Sequence, residues 1–296
     1  MRRGVAGALA ICLALAGCAS PKALQPSMAE QLPRLLDGQA LALRIEPGER
    51  RLLRAESSND GAAIIAHGEQ SARNFQGSVS GAGNGGAGAG VALGVAIGTA
   101  LAAGMGQSSV QDAQQVEADK QVAPLQQALD GQPLTGWFDE RFAAALREAG
   151  RPLSDAAVLE LVVAPQGVLS HDGHSARLVS EVRLMQGREA LYRGRIEVQG
   201  QPVACSACLD DWAANGGRSY LQALDLGVRE TVRVLLLDWR TGHFAGQLGE
   251  ERTLRYQVGE SRYVERGRLW RDNSGKGALF LTLRGWIKSV PVGVEP

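Results

Sequence analysis

The stretch SARLVSEVRLM, residues 175–185, decides the fold of this 296-residue chain. Leu178, Ser180, Val182 and Leu184 fall on one side of an extended chain, and Arg177, Val179, Glu181 and Arg183 on the other. That two-residue period describes a β-strand with one apolar and one more polar face. Gln186-Gly187 supplies a turn, and EALYRGRIEV, residues 189–198, returns. AVLELVV at 157–163 is a third strand, and strands joined this closely form an antiparallel meander. Helices flank it. Residues 137–149 set Phe138, Phe142, Ala145, Leu146 and Ala149 near one helical face, and Gly150 and Pro152 end that helix. Residues 219–239 place Leu221, Leu224, Val228, Val232 and Leu235 along one side of a longer helix. A sheet with an apolar face needs such helices to cover it, so the fold class is α+β, an antiparallel β meander packed with helices.

Further elements extend this unit in both directions. Residues 254–258, 263–270, 278–284 and 286–290 are strand candidates of a C-terminal β region. Asp272-Asn273-Ser274-Gly275 forms the turn between the second and third. Upstream, 114–129 reads as a helix perturbed at Pro124. A small β region comes earlier, with strands at 40–45, 51–55 and 62–66 and a turn at 57–61.

Between these lies GAGNGGAGAGVALGVAIGTALAAGMG, residues 81–106, inside an uncharged run from 74 to 111. Gly86, Gly90, Gly94 and Gly98 recur every fourth residue, and Ala102 keeps the register. In a helix that spacing lines up small residues on one face and lets another backbone approach closely. Ten of the 26 residues are glycine, each costing about 1 kcal/mol against alanine in a water-exposed helix. A lipid-inserted or self-associating helix therefore competes with a glycine-rich loop or a buried helix. Residues 86–106 as a helix would span about 31 Å, close to a hydrocarbon core. Gly83, Gly85 and Gly88 also match G-x-G-x-x-G, but no βαβ unit surrounds them, which sets nucleotide binding aside.

The N-terminus carries Arg2 and Arg3, a short apolar run from 5 to 16, and then Leu15-Ala16-Gly17-Cys18. The apolar run is too short to span a membrane. The pattern resembles the lipobox of bacterial lipoproteins. That resemblance implies cleavage before Cys18, diacylglycerol on its thiol and acylation of the new amino group. Two or more acyl chains hold a protein stably on a bilayer. Ala19 and Ser20 follow with no aspartate, which resembles the pattern of lipoproteins sent to the outer membrane. The glycine repeat is similar to those of bacterial glycine-zipper envelope proteins. The order of helices and strands resembles auxiliary lipoproteins of envelope transport systems. The expected organisation is a signal peptide at 1–17, a lipidated tether at 18–34, a small β region at 35–80, the glycine zipper at 81–106 and an α+β periplasmic domain at 107–296.

The chain carries 31 basic and 31 acidic residues. Losing Arg2 and Arg3 with the signal would leave 29 against 31, a balance that argues against nucleic acid as a partner. Cys12 would leave with the signal and Cys18 would carry lipid. Cys205 and Cys208 remain, as C-S-A-C. In an oxidising compartment they read as a small structural disulfide. A redox C-x-x-C pair and a zinc site completed by a distant histidine are the competing readings. His171-Asp172-Gly173-His174 could offer metal ligands, but between two strands it reads as a solvated turn. The five tryptophans read as core or interface anchors.

Neither G-x-S-x-G nor H-E-x-x-H occurs, and no carboxylate pair has a defensible acid–base role. The expectation is a non-enzymatic, outer-membrane-anchored lipoprotein that faces the periplasm. It would have no catalytic residue, metal or cofactor. Its role would be scaffold or accessory, with the outer membrane, its own copies or another envelope protein as partners. The alternatives are a membrane-spanning, pore-like oligomer and a periplasmic C-x-x-C redox protein.

Overall fold

The computed structural model describes residues 25–46, 52–56, 115–116, 118–244, 246–270 and 277–292. Cys18, the glycine zipper from Gly86 to Ala102, the strand expected at 62–66 and the turns at 57–61 and 272–275 lie outside the described residues.

Four short elements come first: Ser27–Met28 (β1), Leu32–Leu35 (α1), Leu41–Ile45 (β2) and Leu53–Ala55 (β3). Two helices follow, Ala123–Ala128 (α2) and Leu134–Glu148 (α3). The meander is Leu159–Leu169 (β4), Ala176–Gln186 (β5) and Glu189–Gln199 (β6), and Cys208–Thr241 is helical (α4). Leu248–Val258 (β7), Ser261–Trp270 (β8), Ala278–Thr282 (β9) and Ile287–Val290 (β10) complete the chain.

The ten strands make one sheet in the order β2-β4-β5-β6-β10-β9-β8-β7, with β1 beside β6 and β3 beside β4. This is an α+β fold. The meander is antiparallel, from Leu159 opposite Gln186 to Leu169 opposite Ala176, and from Arg177 opposite Gln199 onward. The outer strands change its character. β2 and β3 run parallel to successive halves of β4, and β10 runs parallel to β6. The segment expected as a separate small β region thus supplies strands to the same sheet as the rest.

The expected tether at 18–34 also ends early. Residues 27–28 pair with Arg193 and Tyr192 of β6, and Leu32 and Leu36 are buried. The two leucines explain the docking, because burying an apolar side chain of that size contributes about 1.5–3 kcal/mol.

One face of the meander is dry. Leu178, Val182 and Leu184 of β5 point toward Leu224, Val228, Val232 and Leu235 of α4, all within one buried cluster. Beside α4, and packed on β2 as well, α3 contributes Phe138, Phe142 and Leu146 to the same cluster. Ala149, expected on that apolar face, is exposed at the helix end. The helix expected from 219 follows a break. Asn215, Gly216 and Gly217 take left-handed φ values of 53°, 67° and 75°, which separate a short first turn from the long packed part. A side chain at Gly217 would run into Leu129 at 2.6 Å, so the break seats α4 tightly against the end of α2.

The other face is closed by the sheet itself. Leu254, Tyr256, Val258, Phe280 and Val290 form a second buried cluster. The β7–β8 hairpin comes back far enough for the Tyr263 hydroxyl to donate to Glu56, just past β3. The sheet therefore coils until its late strands lie over its early ones.

Candidate functional site

The chemistry-bearing residues gather at one end of the central strands, where β4 ends, β5 begins and β6 ends. Asp172 is the hub of the β4–β5 loop. Its Oδ1 accepts from the Ser170 hydroxyl at 2.5 Å and the His174 amide at 3.0 Å. Its Oδ2 accepts from the amides of Glu260 and Ser261 at 2.9 and 3.0 Å, and from the Ser261 hydroxyl at 2.9 Å. Burial alone would raise the Asp172 pKa, but these bonds from Ser170, His174, Ser261 and Glu260 outweigh it and hold the carboxyl below its ordinary value. The residues expected as a solvated turn thus tie the meander to the β7–β8 turn. His171 stays exposed, and His174 turns inward.

His174 faces the second expected feature. Cys205 and Cys208 are joined as a disulfide. Nδ1 of His174 lies 3.6 Å from each sulfur and 2.9 Å from the carbonyl oxygen of Val203. Trp212 backs the loop and donates its indole N–H to the Gly173 carbonyl at 2.6 Å. The fold makes this meeting possible: β6 ends beside the start of β5, and residues 200–207 carry Cys205 across to the β4–β5 loop.

A third feature sits at the same end of the sheet. The amide of Ala55 donates to Asp119 at 3.1 Å, and the Gln115 side chain donates to the Ala55 carbonyl and to Asp119, both at 2.9 Å. Ala55 and Gln115, on either side of residues 57–114 and the glycine zipper they contain, are therefore held side by side.

Beneath the sheet lies a polar network that sequence reasoning did not identify. Arg177 pairs with Glu56 at 3.2 Å, and Glu197 pairs with Lys288 and Arg195 at 2.9 Å each. Lys288 also donates to Glu265 at 2.7 Å, and Glu265 accepts from the Tyr256 hydroxyl at 2.6 Å. Burial pushes the Glu197 carboxyl up, but the charges of Lys288, Arg177 and Arg195 overcome it and hold the pKa at about 2. For Arg177, burial works against the charged form, and Glu56 and Glu197 more than compensate, so its pKa is raised. The available signal was the alternation of Arg177 with Leu178 and of Glu197 with Ile196, which put charge on a face that the C-terminal strands then cover. A second buried carboxylate, Asp238, accepts from the Tyr192 hydroxyl at 2.8 Å and lies 3.2 Å from Nδ1 of His243.

The tryptophans divide. Trp212 and Trp239 are buried. Trp137 packs edge-on against Phe138, Trp270 against Phe244, and Trp286 lies between the guanidinium groups of Arg195 and Arg284 at 4.2 and 4.9 Å. None of the helices among the described residues is long and apolar enough to cross a membrane.

No protein-family model matches this chain, and no curated protein matches it. Among solved structures the chain is similar to one from Caulobacter crescentus CB15, described as a "putative lipoprotein" and solved at 2.40 Å, with 16% identity over 40% of this chain and 88% of that one and a TM-score of 0.25.

Proposed function

We propose that this chain is a lipoprotein of the bacterial cell envelope, anchored through Cys18 to the outer membrane and facing the periplasm, with a non-enzymatic scaffold or accessory role. The glycine zipper at Gly86, Gly90, Gly94, Gly98 and Ala102 is its contact element, meeting the bilayer, a second copy or another envelope protein. The observation that carries this reading is the clamp of Gln115 and Asp119 on Ala55. The residues that flank the zipper segment, Ala55 on one side and Gln115 and Asp119 on the other, thus meet at one point of the folded body. That geometry favours an element presented outward from a fixed base over a single crossing of the membrane, which needs its flanks on opposite sides. It therefore weighs against the pore-like alternative. The Asp172 carboxylate supports the non-enzymatic role, because its bonds are spent on holding two loops together.

The test introduces cysteines singly at Ser58 and at Asp112, one on each side of the segment. A thiol reagent that does not cross membranes is applied to intact cells and then to cells with a permeabilised outer membrane. Equal protection of both sites in intact cells, lost together on permeabilisation, is the expected result. Labelling of one site alone in intact cells overturns the reading. Gly90→Leu with Gly94→Leu is expected to reduce crosslinked complexes in whole cells, whereas an unchanged crosslinking pattern removes the zipper from the contact.

A further inference from the structure

We infer that Cys205, Cys208 and His174 form a redox-gated binding site for a thiophilic d¹⁰ cation, with Zn²⁺ as its working representative. The disulfide is the closed state of this site, and the dithiol is its open, metal-binding state. Three observations converge. The ligand-capable atoms of the three residues lie within 4.8 Å of one another and are partly accessible. The C-S-A-C spacing lets two thiolates from one short loop chelate a single ion. The third observation fixes the histidine. Its Nδ1 is 2.9 Å from the Val203 carbonyl oxygen, and a carbonyl can only accept. The proton must therefore sit on Nδ1, which leaves the lone pair on Nε2. This is the arrangement in which a backbone carbonyl orients a ligating imidazole.

Distances fit the open state. In a tetrahedral site with Zn–S near 2.3 Å and Zn–N near 2.0 Å, a sulfur and a nitrogen ligand stand about 3.5 Å apart and two sulfurs about 3.8 Å apart. Nε2 of His174 already lies 3.9 Å from Sγ of Cys208. Cys205 stands 3.6 Å from Nδ1, so opening the site needs the sulfurs to part and Cys205 to move round to the Nε2 side; it lies in the irregular 200–207 segment, outside any helix or strand. The shell around it is firm: Trp212 holds Gly173, and Asp172 holds the His174 amide.

The chemistry balances with one external reductant, a protein or small-molecule dithiol. That dithiol gives two electrons and two protons to the Cys205–Cys208 bond and becomes a disulfide itself. The two thiols formed lose their protons when Zn²⁺ binds. The complex then has two thiolates, one neutral imidazole and a fourth position for water or an incoming ligand. The metal cannot bind while the sulfurs are bonded to each other, so when a disulfide of a second protein or small molecule takes two electrons from the thiolates, with two protons from water, it becomes a dithiol, the Cys205–Cys208 bond re-forms and the ion is released.

The experiment uses the chain purified in detergent as cells make it, fully oxidised or reduced with a non-thiol phosphine that is then removed under inert gas. Co²⁺ serves as an optical reporter, followed by displacement with Zn²⁺ in competition with a chromophoric chelator. The reduced chain is expected to take up one ion per chain with the absorption of tetrahedral thiolate coordination, and the oxidised chain none. Zn²⁺ should also slow alkylation of both thiols in the reduced wild type, a readout that needs no variant. His174→Ala is expected to weaken Zn²⁺ binding at least tenfold, and His171→Ala to leave it unchanged. The inference is overturned if the reduced chain binds no more ion than the Cys205→Ser, Cys208→Ser double variant, or if His174→Ala binds as tightly as wild type. The outcome is independent of the lipoprotein reading, since neither Cys18 nor the glycine zipper takes part.

Discussion

The two faces of the meander are built on opposite plans. The face toward α4 is closed chiefly by apolar side chains, Leu178, Val182, Leu184, Leu224, Val228 and Val232, with Tyr192, Tyr220 and Trp239 in the same cluster. The face toward β7 and β8 encloses Arg177, Glu197 and Lys288 in a chain of ion pairs edged by Tyr256 and Tyr263. Both exclude water, but they respond differently to damage. An apolar face loses roughly what is cut from it, while a buried charge network loses more, because each deleted partner leaves another charge desolvated and unpaired. The comparison predicts which substitutions hurt most.

The largest effect is expected at Glu197. Glu197→Ala removes the buried carboxylate that Lys288 and Arg195 share and leaves the network with excess positive charge, so it should lower the unfolding free energy by about 3–5 kcal/mol, measured from the urea midpoint at constant slope. The same network predicts acid sensitivity. The folded Glu197 pKa is about 2, below its ordinary value of 4.5. A depressed folded pKa gives stability that is full above the unfolded value and is lost as pH falls through the window from about 4.5 to about 2. Wild type should therefore lose stability over that interval, and Glu197→Gln should flatten the profile there. Replacing Glu197 and Lys288 together by Met, which removes one charge of each sign, sharpens the contrast. If the network is a matter of charge balance, the double variant is closer to wild type in stability than Glu197→Ala. A double variant as unstable as Glu197→Ala would show that packing, not charge, governs this face.

On the apolar side, Leu224→Ala removes a fully buried side chain at the helix–sheet contact. It should cost about 3 kcal/mol, with no pH dependence across the Glu197 window. A pH-dependent loss would mean that the two faces are coupled through the sheet.

Much of this contrast was legible in the sequence on one side and hidden on the other. The periodicity of residues 175–185 and 219–239 carried the dry face, because one apolar stripe meeting one apolar strand face needs no long-range information. The second half of β4 was not readable, since Pro165 and Gly167 look like breakers. The structure explains both. Val163 accepts from Glu46 and Gly167 donates to Leu52 on the same edge of β4. Pro165, two residues from each, therefore turns its missing N–H onto that edge, between the stretches of β4 that pair with β2 and β3, and costs the β4–β5 ladder no bond. At Gly167 a side chain would collide with the Tyr220 hydroxyl at 2.1 Å, so the glycine marks a close helix–strand approach rather than a turn. The parallel pairing of β2, β3 and β10 was also hidden, because strand order depends on contacts far apart in sequence. At the candidate site, the C-x-x-C spacing and the His171–His174 motif were each visible, but their meeting depends on the end of β6 lying beside the start of β5.

A milder break between the regions is expected at Asp172, which joins the meander to the β7–β8 turn without belonging to either core. Asp172→Ala leaves the Glu260 and Ser261 amides without their acceptor. With water able to replace part of the loss, the cost should be about 1–3 kcal/mol. Amide exchange should rise at the β7–β8 turn and stay unchanged along α4. Uniform acceleration of exchange would place Asp172 in the global core instead.

The smallest effect should come from the outward face of the late strands, which belongs to neither core. Glu251 and Arg266 pair diagonally across β7 and β8 at 2.6 Å, with side chains 42% and 64% exposed. An ion pair this wet is screened and bears the entropy of holding two long side chains, so Glu251→Ala should cost less than about 1 kcal/mol, and the difference should vanish in molar salt. Val264 stands on the same face at 65% exposure, so the surrounding surface adds little burial to the pair. A loss above 2 kcal/mol in the purified protein would therefore mean that something excludes water from this face. The candidate would then be a second copy of the chain, and repeating the measurement across a hundredfold range of protein concentration would reveal it as a concentration-dependent midpoint.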